Sequence, residues 1–258
     1  VSTEELVRER RGPVLIARLN RPEARNSLNG SLFRAIGAAM IEAETDPEIR
    51  AVVLTATGDR AFCAGMDLRA FAKGEKIGGG SDEASAGFGK LVQGQLTVPV
   101  VGAANGTAIG GGLELLLGCD VIVASSEAKF GLPEVKRGLY PAGGGTNIGT
   151  RIPLAVALEM TLTGDSIGAY RAYELGLVNS VTAPEKVLDA ALDYADRIAA
   201  NGPLAITAIK ELVRLGVTDS ERAAERNKYW QPTVFTSEDA KEGAQAFVEK
   251  RQPAWKGR

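Results

Sequence analysis

The sequence predicts an α/β domain with a helical carboxy-terminal section, and three observations lead there. Short runs rich in apolar and β-branched residues recur through the first half, helical patterns lie between them, and the chain finishes on helical periodicity alone. Val14 to Leu19 is an apolar strand that ends in a turn at Asn20-Arg21-Pro22. From Ser31 to Glu44, the residues Leu32, Ile36, Ala39 and Met40 fall at helical spacing, with Asp46-Pro47 as the stop. Ala51 to Ala56 is apolar and β-branched, the pattern of a strand buried on both faces. Val98 to Ala104 and Asp120 to Ala124 read the same way, separated by a helix that begins near Gly111 and runs to Cys119.

Arg69 to Thr97 contains Gly78-Gly79-Gly80-Ser81, which predicts a mobile loop and then a helix from about Asp82. A surface insertion and a flap over a ligand site, covering Phe71 to Gly89, both fit such a segment. Further on, Pro184 to Ala200, Pro203 to Leu215, Ser220 to Tyr229 and Ser237 to Lys250 all have helical patterns. Pro203 suits a first helical turn, and Ser220 and Ser237 are expected N-caps. Asp189, Asp193 and Arg197, like Glu221 and Glu225, fall on faces expected to be solvated. No strand pattern is read in the last hundred residues. The expected organisation is a core over residues 1–195 and a helical section over 196–258, packed on the core or on a neighbouring subunit.

Composition narrows the chemistry. The chain has 258 residues, 45% of them hydrophobic, and a formal net charge of −2, so no basic footprint for nucleic acid or an anionic membrane is present. There is no histidine, which removes a Ser-His-Asp or Cys-His triad and any His-ligated metal site. Cys63 and Cys119 alone make neither a disulfide framework nor a Cys-rich zinc site, and each reads as a small packing residue. Acid–base groups must come from Asp, Glu, Lys, Tyr or Cys. The most apolar run, Val98 to Leu117, is interrupted by Pro99, Asn105 and glycines, so no membrane span is expected. The start, Val-Ser-Thr-Glu-Glu, lacks a secretory pattern, and cytoplasmic residence is the expectation.

Four segments carry possible chemistry. Ala61 to Leu68 reads as an ordinary strand-to-helix turn, though small residues there could leave N–H groups facing a ligand. Gly110-Gly111-Gly112 opens a helix, where unsatisfied N–H donors and partial positive charge suit an oxyanion. The spacing fits neither a P-loop nor a dinucleotide fingerprint. Phe130 to Val135 and Gly138 to Thr146 complete the set. Glu114 lies in the first turn of an apolar helix and Glu134 follows a proline between apolar residues. Either alone is explained by a helix dipole or by solvation; two, each beside a glycine-rich segment, suit acid–base work.

Together these segments resemble the crotonase superfamily, the enoyl-CoA hydratase/isomerase family. The resemblance rests on Leu19-Asn20-Arg21-Pro22, Phe62 to Leu68, Gly110 to Leu115, Gly131-Leu132-Pro133-Glu134 and Gly143-Gly144-Gly145-Thr146, in that order. It continues through Leu162 to Asp165, Ala172 to Val178 and Phe247 to Arg251. The fold it implies is a spiral of ββα units with a helical carboxy-terminal trimerisation section.

The resemblance also implies roles. An acyl-CoA thioester would lie with its carbonyl oxygen between the backbone N–H groups of Met66 and Gly111. Glu114 would activate water for attack at C3 and Glu134 would exchange the proton at C2, making the chain an enoyl-CoA hydratase. CoA would run along Ala24, Arg25, Asn26 and Ser27 and the turn Ala64, Gly65, Met66, Asp67, Leu68, with Gly110, Pro133 and Tyr140 also lining the substrate. Phe247 and Lys250 match tail positions that approach the CoA adenine and phosphate, often from a neighbouring subunit. A homotrimer or hexamer is implied, with no metal and no cofactor beyond the CoA of the substrate. The alternatives are another dehydratase or isomerase of the family and a non-catalytic CoA-binding member. This chain departs from the common Pro-Gly-Ala-Gly-Gly at Pro141-Ala142-Gly143-Gly144-Gly145, and from a common alanine at Met66.

Overall fold

Apolar, β-branched runs build the larger of two sheets in the computed structural model, which describes residues 4–75, 77, 78 and 80–258. The amino-terminal Val1-Ser2-Thr3 and Gly79 of the glycine triplet, both used above, lie outside the described residues. The chain opens with β1 (Leu6–Arg11), β2 (Val14–Leu19), α1 (Gly30–Thr45), β3 (Ala51–Ala56), β4 (Ala61–Cys63), α2 (Leu68–Ala72) and α3 (Glu83–Val92). It continues through β5 (Val100–Ala104), β6 (Thr107–Ile109), α4 (Gly111–Gly118), β7 (Val121–Ser125) and β8 (Lys129–Gly131). After 3-10 turns at Pro133–Arg137 and Gly145–Thr150 come α5 (Leu154–Thr163), β9 (Ile167–Gly168), α6 (Ala169–Glu174) and β10 (Ser180–Thr182). Four helices finish the chain: α7 (Val187–Ala199), α8 (Pro203–Thr218), α9 (Ser220–Phe235) and α10 (Glu238–Glu249).

The six-stranded sheet has the order β1-β2-β3-β5-β7-β10 and is parallel apart from the β1–β2 hairpin. Every residue of β3 and β5 is buried, as the unbroken apolar runs demand. One face, with Val52, Leu54, Val100 and Ile122, joins the core made with α1, α3 and α4. The other, with Val53, Val101 and Val123, meets Val187, Ala191 and Ala195 of α7. Each Val or Leu buried this way contributes about 1.5–3 kcal/mol, so both layers are needed to hold the central strands.

A second, smaller sheet has the order β4-β6-β8-β9. The sequence reading missed it. Its strands are two or three residues long, too short to show a period of two. Three successive units now become visible: β3-β4-α2, β5-β6-α4, and β7-β8 followed by the 3-10 turn at Pro133–Arg137. In each, the first strand belongs to the large sheet and the second to the small one, which is the ββα spiral.

Local signals held in most places. Asp82 and Ser237 are N-caps whose side chains accept from Ser85 and Ala240 N–H groups, and Pro203 opens α8. The expected cap Ser220 is instead the first residue of α9, because the neighbouring Asp219 carboxylate takes the Arg222 N–H. The last stretch also contains strands, contrary to the reading of helix alone. β10 adds Ser180–Thr182 to the edge of the large sheet, and β9 pairs antiparallel with β8. Residue 195, the expected division, falls inside α7. Among the described residues, no helix is long and apolar enough to cross a membrane.

Helix α8 docks on the core through charge. The Asp120 carboxylate accepts from Lys210 Nζ at 2.7 Å, from Arg214 at 2.8 Å and from the Val100 N–H at 2.8 Å. Arg214 also donates to the carbonyls of Gly118 and Cys119, which end α4, and Arg151 donates to those of Leu117 and Cys119. The Lys210 side chain is only 8% exposed and would keep the Val98 carbonyl at 2.8 Å, so removing Asp120 leaves a buried cation without its counter-charge. Asp120→Ala should lose about 3–5 kcal/mol in equilibrium urea unfolding. A loss below about 1 kcal/mol would mean that the ion cluster does not hold α8.

Candidate active site

Parallel pairing of β4 with β6 and of β6 with β8 brings the ends of three short strands side by side. The residues that follow them are Ala64-Gly65-Met66, Gly110-Gly111 and Leu132-Pro133-Glu134. The Gly110 N–H donates to the Gly131 carbonyl at 2.9 Å and ties the second end to the third. Gly65 has φ +85, and a Cβ on it would stand 2.7 Å from the Ile109 carbonyl oxygen and 3.2 Å from the Gly111 nitrogen. Only glycine fits between these two ends.

Leu28 fixes the first end from the other side. Its N–H donates to the Gly65 carbonyl at 2.8 Å and its carbonyl accepts from Asp67 at 2.8 Å. In this parallel bridge, Met66 turns its own N–H away from Leu28. The Gly111 N–H, first in α4, has no acceptor within the helix. Two backbone donors thus flank one close approach of chain, and one of them also carries the positive end of a helix dipole.

Both glutamates come to the same place. Glu114, in the first turn of α4, is buried, and its Oε1 accepts from the N–H groups of Gly143 at 2.8 Å and Gly145 at 2.9 Å. Its Oε2 lies 3.7 Å from where a Cβ on Gly111 would sit, while Glu134 Oε1 lies 3.0 Å from the same point on Gly110. The two carboxylates therefore border adjacent glycines. Glu134 Oε2 is buried with no hydrogen-bond partner among the described residues. Burial pushes the Glu114 carboxyl above its usual range, the Glu134 charge adds to this, and the two glycine N–H groups offset part of it. Burial also raises Glu134, with its own N–H and Arg137 opposing. The charge on Glu134 thus bears on the proton affinity of Glu114.

The structure sorts the other expected residues. Ala24 closes a 3-10 turn, and Arg25 and Asn26 follow in left-handed conformation. The Arg25 carbonyl accepts from Ala64, and Arg25 and Ala64 line a cavity of about 260 Å³ with Arg60, Ala61, Thr107 and Ile109. Arg60 was missed by sequence reading; the available signal was a cation immediately before an apolar strand. Asn26 and Ser27 are buried, and Asn26 spends its amide on Thr57 and Ala61 carbonyls rather than facing a ligand. The Asp67 carboxylate likewise caps α2 through Arg69 and Ala70 and pairs with Arg21. Leu68 and Tyr140 are exposed, the latter by 70%, and Pro133 opens the turn that carries Glu134. Phe247 and Lys250 stand exposed at the end of α10, with no hydrogen bond or ion pair to the Ala24–Ser27 or Ala64–Leu68 segments among the described residues.

Known proteins resemble this chain over nearly its whole length. The family model described as enoyl-CoA hydratase/isomerase matches residues 9–258. A carnitinyl-CoA dehydratase of Salmonella enteritidis is 40% identical over 99% of this chain and 100% of its own length. The crystal structure of an enoyl-CoA hydratase from Mycobacterium tuberculosis superposes with a TM-score of 0.91 at 44% identity, covering 99% of this chain and 100% of that one. A carnitinyl-CoA hydratase from Mycobacterium avium gives 0.78 at 42% identity, with both chains fully covered.

The geometry generates two expected outcomes. A Cβ on Gly143 would stand 2.8 Å from Glu114 Oε2, so Gly143→Ala should displace that carboxylate and lower turnover. A displacement near an ångström costs about 100-fold; turnover within about threefold of the parent would show that the contact is not limiting. The second outcome concerns stability. A carboxyl whose folded pKa is raised binds its proton more tightly when folded, so stability falls as pH rises through the window above 4.5, and Glu114 is destabilising beyond it. Glu114→Gln should therefore raise the melting temperature at about pH 8, and the gain should vanish below about pH 4. A gain that persists in acid would contradict the shift.

Proposed function

The chain belongs to the enoyl-CoA hydratase/isomerase family, an enzyme family of hydro-lyase type in the crotonase fold, and we propose that it hydrates trans-2-enoyl-CoA thioesters reversibly. The observation that carries this reading is a pair of carboxyls with raised pKa, Glu114 buried and Glu134 half-buried, bordering Gly111 and Gly110. Ionised Glu114 takes a proton from water as the water oxygen bonds to C3. The C2–C3 π electrons move toward the thioester carbonyl, giving an enolate whose oxygen is held by the N–H groups of Met66 and Gly111. Protonated Glu134 delivers its proton to C2 as the enolate collapses. Dehydration is the same sequence reversed. Atoms and charge balance with no further cofactor, since CoA arrives as part of the substrate, and exchange with solvent then releases the proton from Glu114 and returns one to Glu134.

Arg25 and Arg60 beside the cavity supply cations for the CoA phosphates, with Ala24, Ser27 and Leu68 along the same path. Ile209, Val213 and Val217 recur every four residues on α8 and are each more than half exposed. We read that stripe as packing against other copies in a trimer or a dimer of trimers, with Phe247 and Lys250 serving a neighbour's CoA.

A second reading shares the machinery. Relatives named carnitinyl-CoA dehydratase support a 3-hydroxyacyl thioester with a quaternary ammonium tail. Tyr140 and Phe71, 70% and 50% exposed, are aromatic faces suited to such a cation, each about 0.5–1 kcal/mol at an exposed site.

Absorbance of the conjugated thioester decides between them. Crotonyl-CoA and a longer trans-2-enoyl-CoA should lose absorbance rapidly, and Glu114→Gln and Glu134→Gln should each cut the rate about 10²–10⁴-fold. Appearance of absorbance from carnitinyl-CoA, with no turnover of simple enoyl-CoAs, would establish the second reading. Turnover of none of these would point to a non-catalytic CoA-binding member.

A further inference from the structure

We propose that Arg21, in the Asn20-Arg21-Pro22 turn, is a positioning residue that aims the Met66 N–H at the thioester oxygen; this rests on the oxyanion reading above. The guanidinium touches no part of the candidate pocket. Its side chain is 14% exposed and reaches three acceptors: Glu5 at 3.1 Å, the Ser27 carbonyl, and the Asp67 carboxylate at 3.2 Å. Glu5 precedes β1, and Asp67 immediately follows Met66, so one planar cation links the start of the large sheet to the turn that carries the donor.

The rest of the turn's support comes from the same short loop. Leu28 bonds Gly65 and Asp67 on either side of Met66, the Arg25 carbonyl accepts from Ala64, and Asn26 bonds Ala61. Residues 21–28 thus form a splint along the whole of 61–67. Asn26 also accepts from the Arg21 N–H at 2.9 Å, which fixes where the guanidinium starts. Asp67 meanwhile caps α2 through the N–H groups of Arg69 and Ala70. Without Arg21, Asp67 keeps the α2 cap and its N–H bond to the Leu28 carbonyl, but its carboxylate loses the tie to the splint. Met66 then stays bridged to Leu28 by backbone alone, so α2 can tilt and spoil the aim of the donor, while the Ala64 side of the groove, held by the Arg25 carbonyl, stays in place.

A donor that moves should change polarisation of the bound carbonyl more than affinity. The probe is a CoA thioester of 4-dimethylaminocinnamic acid, whose absorption shifts to longer wavelength as its carbonyl oxygen accepts stronger hydrogen bonds. Wild type should show the shift. Arg21→Ala should bind the probe within about threefold of wild type, lose more than about half of the shift, and lose about 10–100-fold in kcat on crotonyl-CoA. Arg21→Lys keeps the charge without the fork and should fall between. Asp67→Asn keeps a competent N-cap but no ion pair, and carries the test if Arg21→Ala does not fold. An unchanged shift and unchanged kcat in a folded variant overturn the proposal. Absence of the shift in wild type would overturn the oxyanion reading, and the proposal with it.

Discussion

Parallel register in the small sheet is the constraint on which the rest of the site depends. Because β4, β6 and β8 run in one direction, the three segments that leave them emerge at one edge, and Met66, Gly111 and Glu134 become neighbours although far apart in sequence. The register leaves no room for a side chain at Gly65. A Cβ on Gly65 would stand 2.7 Å from the Ile109 carbonyl, so the close approach of two strand ends and the identity of the residue between them are the same requirement. The large sheet and its helix layers hold this edge rigid. Their burial is what allows strands of three residues to keep their register.

A buried carboxyl beside a half-buried one works against stability. Glu114 is accommodated because Gly143 and Gly145 present N–H groups to one oxygen while leaving the other toward Gly111. That arrangement keeps the side chain oriented and leaves its proton affinity high, which is what an acid–base group requires. The helix that carries Glu114 is also clamped at its far end, where Arg151 and Arg214 take up its last carbonyls. Precision at the amino end of α4 and ion pairing at its carboxy end serve one rigid element.

The sequence displayed the parts that depend on local physics. Strands buried on both faces, the helix start near Asp82, the proline opening α8 and the apolar helix carrying Glu114 all declare themselves through composition and spacing. Family motifs located both glutamates and both donor positions, and the structure brings these four together. What stayed hidden depends on partners distant in sequence. The small sheet is too short to pattern. Asn26 looked like a ligand contact, yet its amide bonds carbonyls over thirty residues away. Arg60 shows its position only once β4 and β6 pair. Phe247 and Lys250 sit apart from the pocket within this one chain.

The most direct measurement is a crystal structure with an unreactive saturated acyl-CoA bound. The account predicts the thioester oxygen within about 3 Å of both the Met66 and Gly111 nitrogens, with C2 and C3 lying between the Glu114 and Glu134 carboxyls. A carbonyl oxygen turned to solvent, or an acyl chain that leaves either carboxyl out of reach of C2 and C3, would contradict it.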